Sequence, residues 1–236
     1  MTAGILYLIP TVIAENTHHS VIPSQVMDVL PTIQRFLAED IRSARRYLSS
    51  LKVYSSIENL HFDVLDKNTP PNQLDQLLAP LKAGENIGVL SESGCPGVAD
   101  PGALAVAFAH KHAIRVVPLV GPSSLLLALM ASGLNGQRFA FHGYLPIDAK
   151  ERGQAIKELE KESRQKKQTQ LFIETPYRNQ TVWNDLMKHL HDTTLLTLAY
   201  DLTGVAERIQ TKTAGEWRKE QVTLEKLPCV FLLLHP

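Results

Sequence analysis

The chain has 236 residues, 44% of them hydrophobic and 20% charged, a balance that excludes disordered and fibrous proteins and leaves room for one large α/β domain or two compact ones. Twenty-four lysines and arginines offset 24 aspartates and glutamates, so no overall field draws the chain to nucleic acid or anionic lipid, and such a partner has to be met by a local patch. The only cysteines, Cys95 and Cys229, form neither a disulfide framework nor a metal-ligand spacing, which points to a reducing cytoplasm.

The opening MTAGILYLIP lacks the basic region, long apolar stretch and small-residue cleavage site of a signal peptide. No apolar run approaches the roughly 20 residues that span a bilayer, so a cytoplasmic protein without a membrane partner is expected. GILYLIP reads as a short strand buried on both faces and closed by Pro10. SQVMDVLPTI has near-helical apolar spacing behind Ser24, a candidate N-cap. RFLA is a second buried strand, and DIRSARRYLSSL a helix with Ile41, Ala44, Leu48 and Leu51 on one face. The helix NQLDQLLAPLKAG, closed by Gly84, precedes the strand NIGVL, and the helix ALAVAFAHKH precedes the strand IRVVPLV. GPSSLLLALMASG then reads as a loop and a buried helix stopped by Gly133.

This alternation predicts a doubly wound parallel sheet whose ligand lies beyond the carboxyl ends of the strands. The second half differs. RFAFHGYLP and TQLFIETPYR are strands flanking a charged helix, and TVWNDLMKHLH is another amphipathic helix. TLLTLAYDLT, ERIQTKTAGEW and PCVFLLLHP then follow with little helix between them, which predicts a mixed or antiparallel sheet. The division falls near residues 118 to 124, giving an N-terminal α/β domain over 1–120 and a C-terminal one over 121–236.

Three loops follow predicted strands of the first half: PTVIAEN, SESGCPGVADPG and GPSS. All three should meet at one edge of the sheet. In the second, Gly94, Gly97 and Gly102 permit positive φ and close ligand approach, while Pro96 and Pro101 stiffen the path. Such a loop is either a wide structural turn or a backbone cradle for a nucleotide-like ligand. The lysine of a Walker loop and the early glycines of a dinucleotide fingerprint are absent, so neither a triphosphate nor a pyrophosphate is expected. His110 and His112, like His189 and His191, lie two apart on predicted helices and point to different faces, so no metal site is expected.

The order of these segments resembles the tetrapyrrole methylase superfamily of S-adenosylmethionine-dependent methyltransferases. It is most similar to the branch that methylates a ribose 2'-oxygen of a cytidine in small-subunit ribosomal RNA. LYLIPTVIAEN resembles that branch's LYVVPTPIGNL, LAEDIRSARRYL its AAEDTRHTRKLL, and SESGCPGVADPG its SDAGTPGISDPG. VVPLVGPSSLLLALMASGL resembles VVPIPGPSALLAALSASGL, RFAFHGYLP resembles RFLFEGFLP, LFIETPYR resembles FYESPHR, and AYDLTGVAERIQTKT resembles ARELTKLHEEVLRGT. The similarity runs in order from about residue 4 to residue 217.

The resemblance implies two α/β domains with the cofactor cleft between them, the first with a mainly parallel sheet and the second with a mixed one. It implies S-adenosylmethionine held by Pro10 and Thr11, by Gly94, Cys95, Pro96, Gly97 and Val98, and by Ser123, Ser124 and Leu125. In the second domain it implies contacts from Phe172, Ile173, Glu174, Asp201 and Leu202. It also implies a homodimer acting on ribosomal RNA or the small ribosomal subunit. Methyl transfer to a ribose hydroxyl depends on positioning and gains from a general base, for which Glu39 and Asp40, at the end of a predicted strand, and Asp100, which also suits a structural role, are the candidates. Asp40 is equally suited to cap the following helix. Arg42, Arg45 and Arg46 at i, i+3 and i+4 put three guanidiniums on one helix face, fit for phosphates or substrate carboxylates or for a solvated face pairing with Glu39 or Asp40. Arg178 stands where the family has arginine and is assigned a substrate-side or interdomain role.

The chain departs from the pattern in three places. PIGNL becomes VIAEN, which loses a glycine and brings in Glu15; a HEHNE segment becomes HFDVLDKN; and the lysine of ELTK becomes Gly204. Two alternatives therefore stand beside RNA methylation: a methyltransferase of the same fold acting on a small molecule such as a tetrapyrrole, and a protein that binds S-adenosylmethionine without catalysis.

Overall fold

The short apolar runs of the first half pair as parallel strands, and Ile87–Leu90, buried at every residue, lies inside the sheet. The computed structural model describes residues 2–236. The chain falls into two units, the first ending at Ser123 and the second spanning Ser124–Pro236.

The first unit runs β1 (Ile5–Ile9), α1 (His18–Val21), α2 (Ser24–Val29), β2 (Arg35–Ala38), α3 (Ile41–Ser50), β3 (His61–Val64), α4 (Pro71–Lys82), β4 (Ile87–Leu90), α5 (Gly102–Lys111) and β5 (Arg115–Pro118). Its strands lie in the order β3-β2-β4-β1-β5, and every pair is parallel. Period-2 alternation splits the core in two. Ile9, Phe36, Ala38 and Leu90 pack with Val26, Ala44 and Leu48 of α2 and α3 on one side. Leu6, Leu37, Ile87 and Val89 pack with Leu78, Leu81, Ala105 and Phe108 of α4 and α5 on the other. Helix α2 begins behind Pro23, and Ser24 is its first helical residue with no side-chain cap, so the expected Ser24 cap is not formed. The proline's fixed φ starts this helix instead.

Strand register sets the site. Leu90 pairs with Ile9 on one side and with Ala38 on the other, so Pro10, Glu39 and Ser91 leave the sheet side by side at its carboxyl edge. Leu8 pairs with Pro118, which brings the loop after β5 to the same edge.

The second unit runs α6 (Ser124–Ser132), β6 (Phe139–Tyr144), α7 (Ala149–Lys166), β7 (Thr169–Glu174), α8 (Asn179–His189), β8 (Leu195–Tyr200), β9 (Arg208–Thr213), α9 (Ala214–Trp217) and β10 (Cys229–Leu234). Its sheet has the order β6-β7-β10-β8-β9; β6 and β7 are parallel and the other pairs antiparallel, the mixed sheet that the sequence predicts. One face, carrying Phe172, Leu198 and Phe231, packs against Ile156 of α7, Trp183 and Leu186 of α8, and Trp217. The indole of Trp217 donates to the Leu196 carbonyl at 2.8 Å and meets Trp183 edge-on, so this core is both apolar and hydrogen-bonded.

Helix α6 packs on β8, β9 and β10, and Thr211 Oγ1 donates to the Ser132 carbonyl at its end. Only part of this helix is core: Ala128 and Leu129 are buried, whereas Leu126 and Met130, one turn apart, are 51% and 79% exposed. Among the described residues, no helix is long and apolar enough to cross a membrane.

Candidate cofactor and acceptor site

Three loops of the first unit converge where β4, β1 and β5 end. The backbone N–H of Thr11 donates to the Gly94 carbonyl at 2.9 Å, tying the loop after β1 to the glycine-rich loop. The loop after β5 lies flat on Pro10: a Cβ added at Gly121 would come within 2.1 Å of the proline's Cβ. Cys95 closes the third side, its thiol donating to the Pro122 carbonyl at 3.3 Å. Burial raises the Cys95 pKa above the usual thiol value, so the sulfur stays protonated and acts as a donor rather than as a nucleophile.

Within the glycine-rich loop, Gly94 and Gly97 have φ of +73° and +83°, values that side chains on those residues would strain. The Asp100 carboxylate accepts from the backbone N–H of Gly97 at 2.9 Å and of Gly102 at 2.7 Å, holding both the turn and the start of α5. Pro96 is buried and Val98 half-exposed, so the segment presents backbone and one apolar side chain. Ser123, Ser124 and Leu125 are all partly exposed around the start of α6. Thr11 is 4% exposed, and its Oγ1 has no hydrogen-bond partner.

The two acidic candidates have different surroundings. The Asp40 carboxylate accepts from the backbone N–H groups of Arg42 at 2.7 Å and Ser43 at 3.0 Å, so it is the N-cap of α3. Glu39 is half-buried, and its pKa is raised, first by burial and then by the nearby Asp100, Glu92 and Asp66 carboxylates. One acid therefore anchors a helix, while its neighbour has a carboxylate held less acidic than usual by burial and by nearby like charges.

The three arginines of α3 fan apart instead of forming one cationic face. Arg42 is exposed, Arg45 sits over the Phe62 ring at 5.3 Å, and Arg46 lies 3.8 Å from Glu15. The cause is β3, His61–Val64, an edge strand without an apolar run whose Phe62 draws Arg45 aside. Sequence reasoning also missed Tyr47. Its hydroxyl donates to the Pro10 carbonyl at 2.8 Å, bracing the loop after β1 from α3. The available signal was a tyrosine where the resembling motif RKLL has leucine.

In the second unit, the Phe172 ring is fully buried and stacked on Phe231 with centroids 5.5 Å apart, and Leu202 is also buried, so any ligand contact at these two is made by backbone. Ile173 is partly exposed on the opposite face of β7. Arg178 pairs with Glu174 at 3.0 Å and donates to the carbonyls of Leu145 and Pro146, which commits it to holding the turn after β6. Its structural partners account for its guanidinium without a substrate. The Asp201 carboxylate accepts from the Ala206 N–H at 2.9 Å, and a Cβ at Gly204 would come 2.2 Å from it. The lysine of the resembling motif can stand at Gly204 only if the Asp201 carboxylate moves aside.

A pocket of about 330 Å³ opens in the first unit between the Thr11–His18 loop, the Ser43–Ser50 side of α3 and Ser91–Glu92. Its size falls at the lower end of the roughly 300–1,000 Å³ typical of small-molecule sites.

The match to the family described as "Tetrapyrrole (Corrin/Porphyrin) Methylases" covers residues 25–217. The chain is 33% identical over 233 residues to "Ribosomal RNA small subunit methyltransferase I" of Escherichia coli O157:H7, covering 98% of this chain and 77% of that protein. It is 33% identical over 205 residues to the protein of that name from Synechocystis sp., covering 87% and 69%, and 32% identical over 236 residues to that from Vibrio cholerae, covering 99% and 77%. In fold it is similar to the crystal structure of uroporphyrin-III-C-methyltransferase from Thermus thermophilus, with a TM-score of 0.54 at 16% identity over 98% of this chain and 92% of that one. The chain belongs to the tetrapyrrole methylase family and is an S-adenosylmethionine-dependent methyltransferase. The first unit fits that cofactor: its converging loops carry positive-φ glycines, an unspent threonine hydroxyl and no lysine or arginine from Ser91 to Gly102 that would mark a phosphate cradle.

The two aspartates separate cofactor seating from helix capping. Asp100→Ala is expected to cost about 1–3 kcal/mol by freeing two backbone donors, and to weaken S-adenosylmethionine binding about ten-fold. Asp40→Ala is expected to cost about 1 kcal/mol with little change in cofactor affinity. Urea unfolding and calorimetric titration of both variants check this.

Proposed function

We propose that this methyltransferase acts on a ribose 2'-oxygen of small-subunit ribosomal RNA, with Glu39 as general base. The observation that carries the reading is Glu39 itself, a carboxylate with a raised pKa that leaves the sheet beside Pro10 and Ser91. The names of the Escherichia coli, Synechocystis and Vibrio relatives support ribosomal RNA as the acceptor. The cytoplasm, where ribosomal subunits are found, is the corresponding place of action.

When bound, S-adenosylmethionine supplies an electrophilic methyl group on a sulfonium. Pro10, Thr11 and the Gly94–Val98 backbone seat it, and the Asp100 bonds and the Cys95 thiol keep that seat from changing shape. Holding acceptor and methyl in line does most of the work. Glu39 accepts the hydroxyl proton as the oxygen attacks, a contribution of about 10²–10⁴-fold for a positioned base. Asp40 keeps α3, and with it Tyr47 and Arg46, in register with that acid. The small-molecule alternative is less well supported. The pocket between α3 and the Thr11–His18 loop suits a unit smaller than a macrocycle, and Glu15 and Glu92 on its wall would repel the carboxylates of a porphyrin.

Homodimer formation is part of the proposal and is supported by the exposed Leu126 and Met130 on α6. Sedimentation equilibrium at micromolar concentration should give twice the chain mass, and a monomer there would refute it.

Tritiated methyl transfer to small subunits lacking the modification should be catalysed by the wild-type chain. Its kcat should fall as pH drops through the Glu39 pKa, which lies above the ordinary glutamate value of 4.5, because only the deprotonated carboxylate is a base. Glu39→Gln should lower kcat about 100-fold and remove that acid limb while leaving cofactor affinity intact. An unchanged pH profile would eliminate Glu39 as the base.

A further inference from the structure

An RNA acceptor has to find positive charge on a chain whose net charge is zero, and the arginines of α3 do not share a face. Helix α7 of the second unit offers such a face. Lys150, Lys157, Lys161 and Arg164 stand at i, i+7, i+11 and i+14, so they fall on one stripe, about 21 Å long at a rise of about 1.5 Å per residue. All four are exposed. Glu151, Glu158 and Glu162 each follow one of the lysines by one residue, which puts them on a second stripe about 100° round the helix. The two signs of charge are segregated along α7 rather than interleaved.

Among the described residues, none of the four cations makes an ion pair. The acids that could reach them are committed elsewhere. Glu160, placed at i, i+4 to meet Arg164, accepts instead from the His191 backbone N–H at 2.7 Å and from the Thr194 hydroxyl. Glu158 accepts from Gln154 Nε2 at 3.0 Å, and Glu162 pairs with Lys166. The helix macrodipole does not account for the row either: it favours cations in the last turn, which covers Arg164, but opposes Lys150 in the first and fades over the turns between them.

A single phosphate would engage one end of this row. A chain of phosphates engages all of it, because side chains three and four residues apart on a helix stand about 5–6 Å apart at Cβ, close to the spacing of successive phosphates along a ribose–phosphate backbone. A lipid surface would require apolar side chains beside the cations, and the apolar side of α7, with Ile156 and Leu159, is already spent in the core.

We propose that Lys157, Lys161 and Arg164, with Lys150 at the end of their row, dock the phosphate backbone of ribosomal RNA outside the nucleotide that receives the methyl group. The assignment rests on the reading of the acceptor as small-subunit ribosomal RNA. The row supplies affinity for that RNA and takes no part in the proton transfer assigned to Glu39.

The test compares the full wild-type chain with the triple variant Lys157→Gln, Lys161→Gln, Arg164→Gln, whose exposed sites and good helix formers leave the fold in place. In filter binding to small subunits lacking the modification, the triple variant should bind about ten-fold more weakly at about 0.1 M salt, and its plot of log affinity against log salt should be shallower by about 2–3. KM for those subunits should rise to match while kcat stays within about two-fold, with cofactor affinity and thermal midpoint unchanged. A second triple variant, Lys111→Gln, Arg115→Gln, Lys219→Gln, removes the same charge from exposed sites off the row and should bind within about three-fold of wild type. Wild-type affinity and salt slope in the row variant, or an equal loss in the second variant, would overturn the assignment while leaving RNA methylation intact. A loss seen with intact subunits but not with small-subunit RNA stripped of its proteins would also overturn it, since the row would then meet a ribosomal protein. No transfer by wild type to any small subunit would overturn the RNA reading, and the docking row with it.

Discussion

The register of the first sheet is the constraint on which the site depends. Because Leu90 pairs with both Ile9 and Ala38, three chain segments leave the sheet at one level, and Pro10, Glu39 and Ser91 are neighbours although distant in sequence. Parallel strands are joined by helical crossovers, so their carboxyl-end loops all emerge on one edge. A one-residue slip of β2 would turn Phe36 and Ala38 out of their core and move Glu39 from the loops. The burial of those side chains thereby fixes the position of the acid. Short contacts then lock the loops to one another: Thr11 to Gly94, Cys95 to Pro122, Tyr47 to Pro10.

The departures from the resembling motifs have physical counterparts. At Gly204 the Asp201 carboxylate occupies the space where a Cβ would stand, and the same carboxylate accepts from the Ala206 N–H in the turn into β9. Cys95 keeps the loop closed with a protonated thiol as donor, a bond that a threonine hydroxyl could also make. Glu15 and Tyr47 line one pocket, the first adding a carboxylate to its wall and the second bracing the loop after β1 through the Pro10 carbonyl.

Much of this was legible in the sequence, and what was not has identifiable causes. The strands β1, β2, β4 and β5 showed as short apolar runs, and the loops between them as glycine and proline clusters, because burial on two faces and positive φ each demand particular residue types. Strand β3 was illegible because it lies at the sheet edge with His61 and Val64 exposed, and Phe62 alone is too little of a signal. The helical spacing of Arg42, Arg45 and Arg46 was read correctly, but their common face was not formed, because side-chain direction followed Phe62 and Glu15. Likewise, Asp40 and Glu39 look alike in sequence, and only the backbone donors around one and the burial and carboxylates around the other distinguish the cap from the acid with a raised pKa. The LLLALMASGL stretch read as core from its composition, whereas its helical period leaves Leu126 and Met130 outward.

The most direct test of the central claim, that the loops after β1, β4 and β5 form one cofactor seat, is amide hydrogen exchange with and without S-adenosylmethionine. The account predicts that the cofactor slows exchange together in residues 10–16, 91–98 and 119–124, with β3 unaffected. Protection confined to one of these segments, or none in the Gly94–Val98 loop at saturating cofactor, would contradict it.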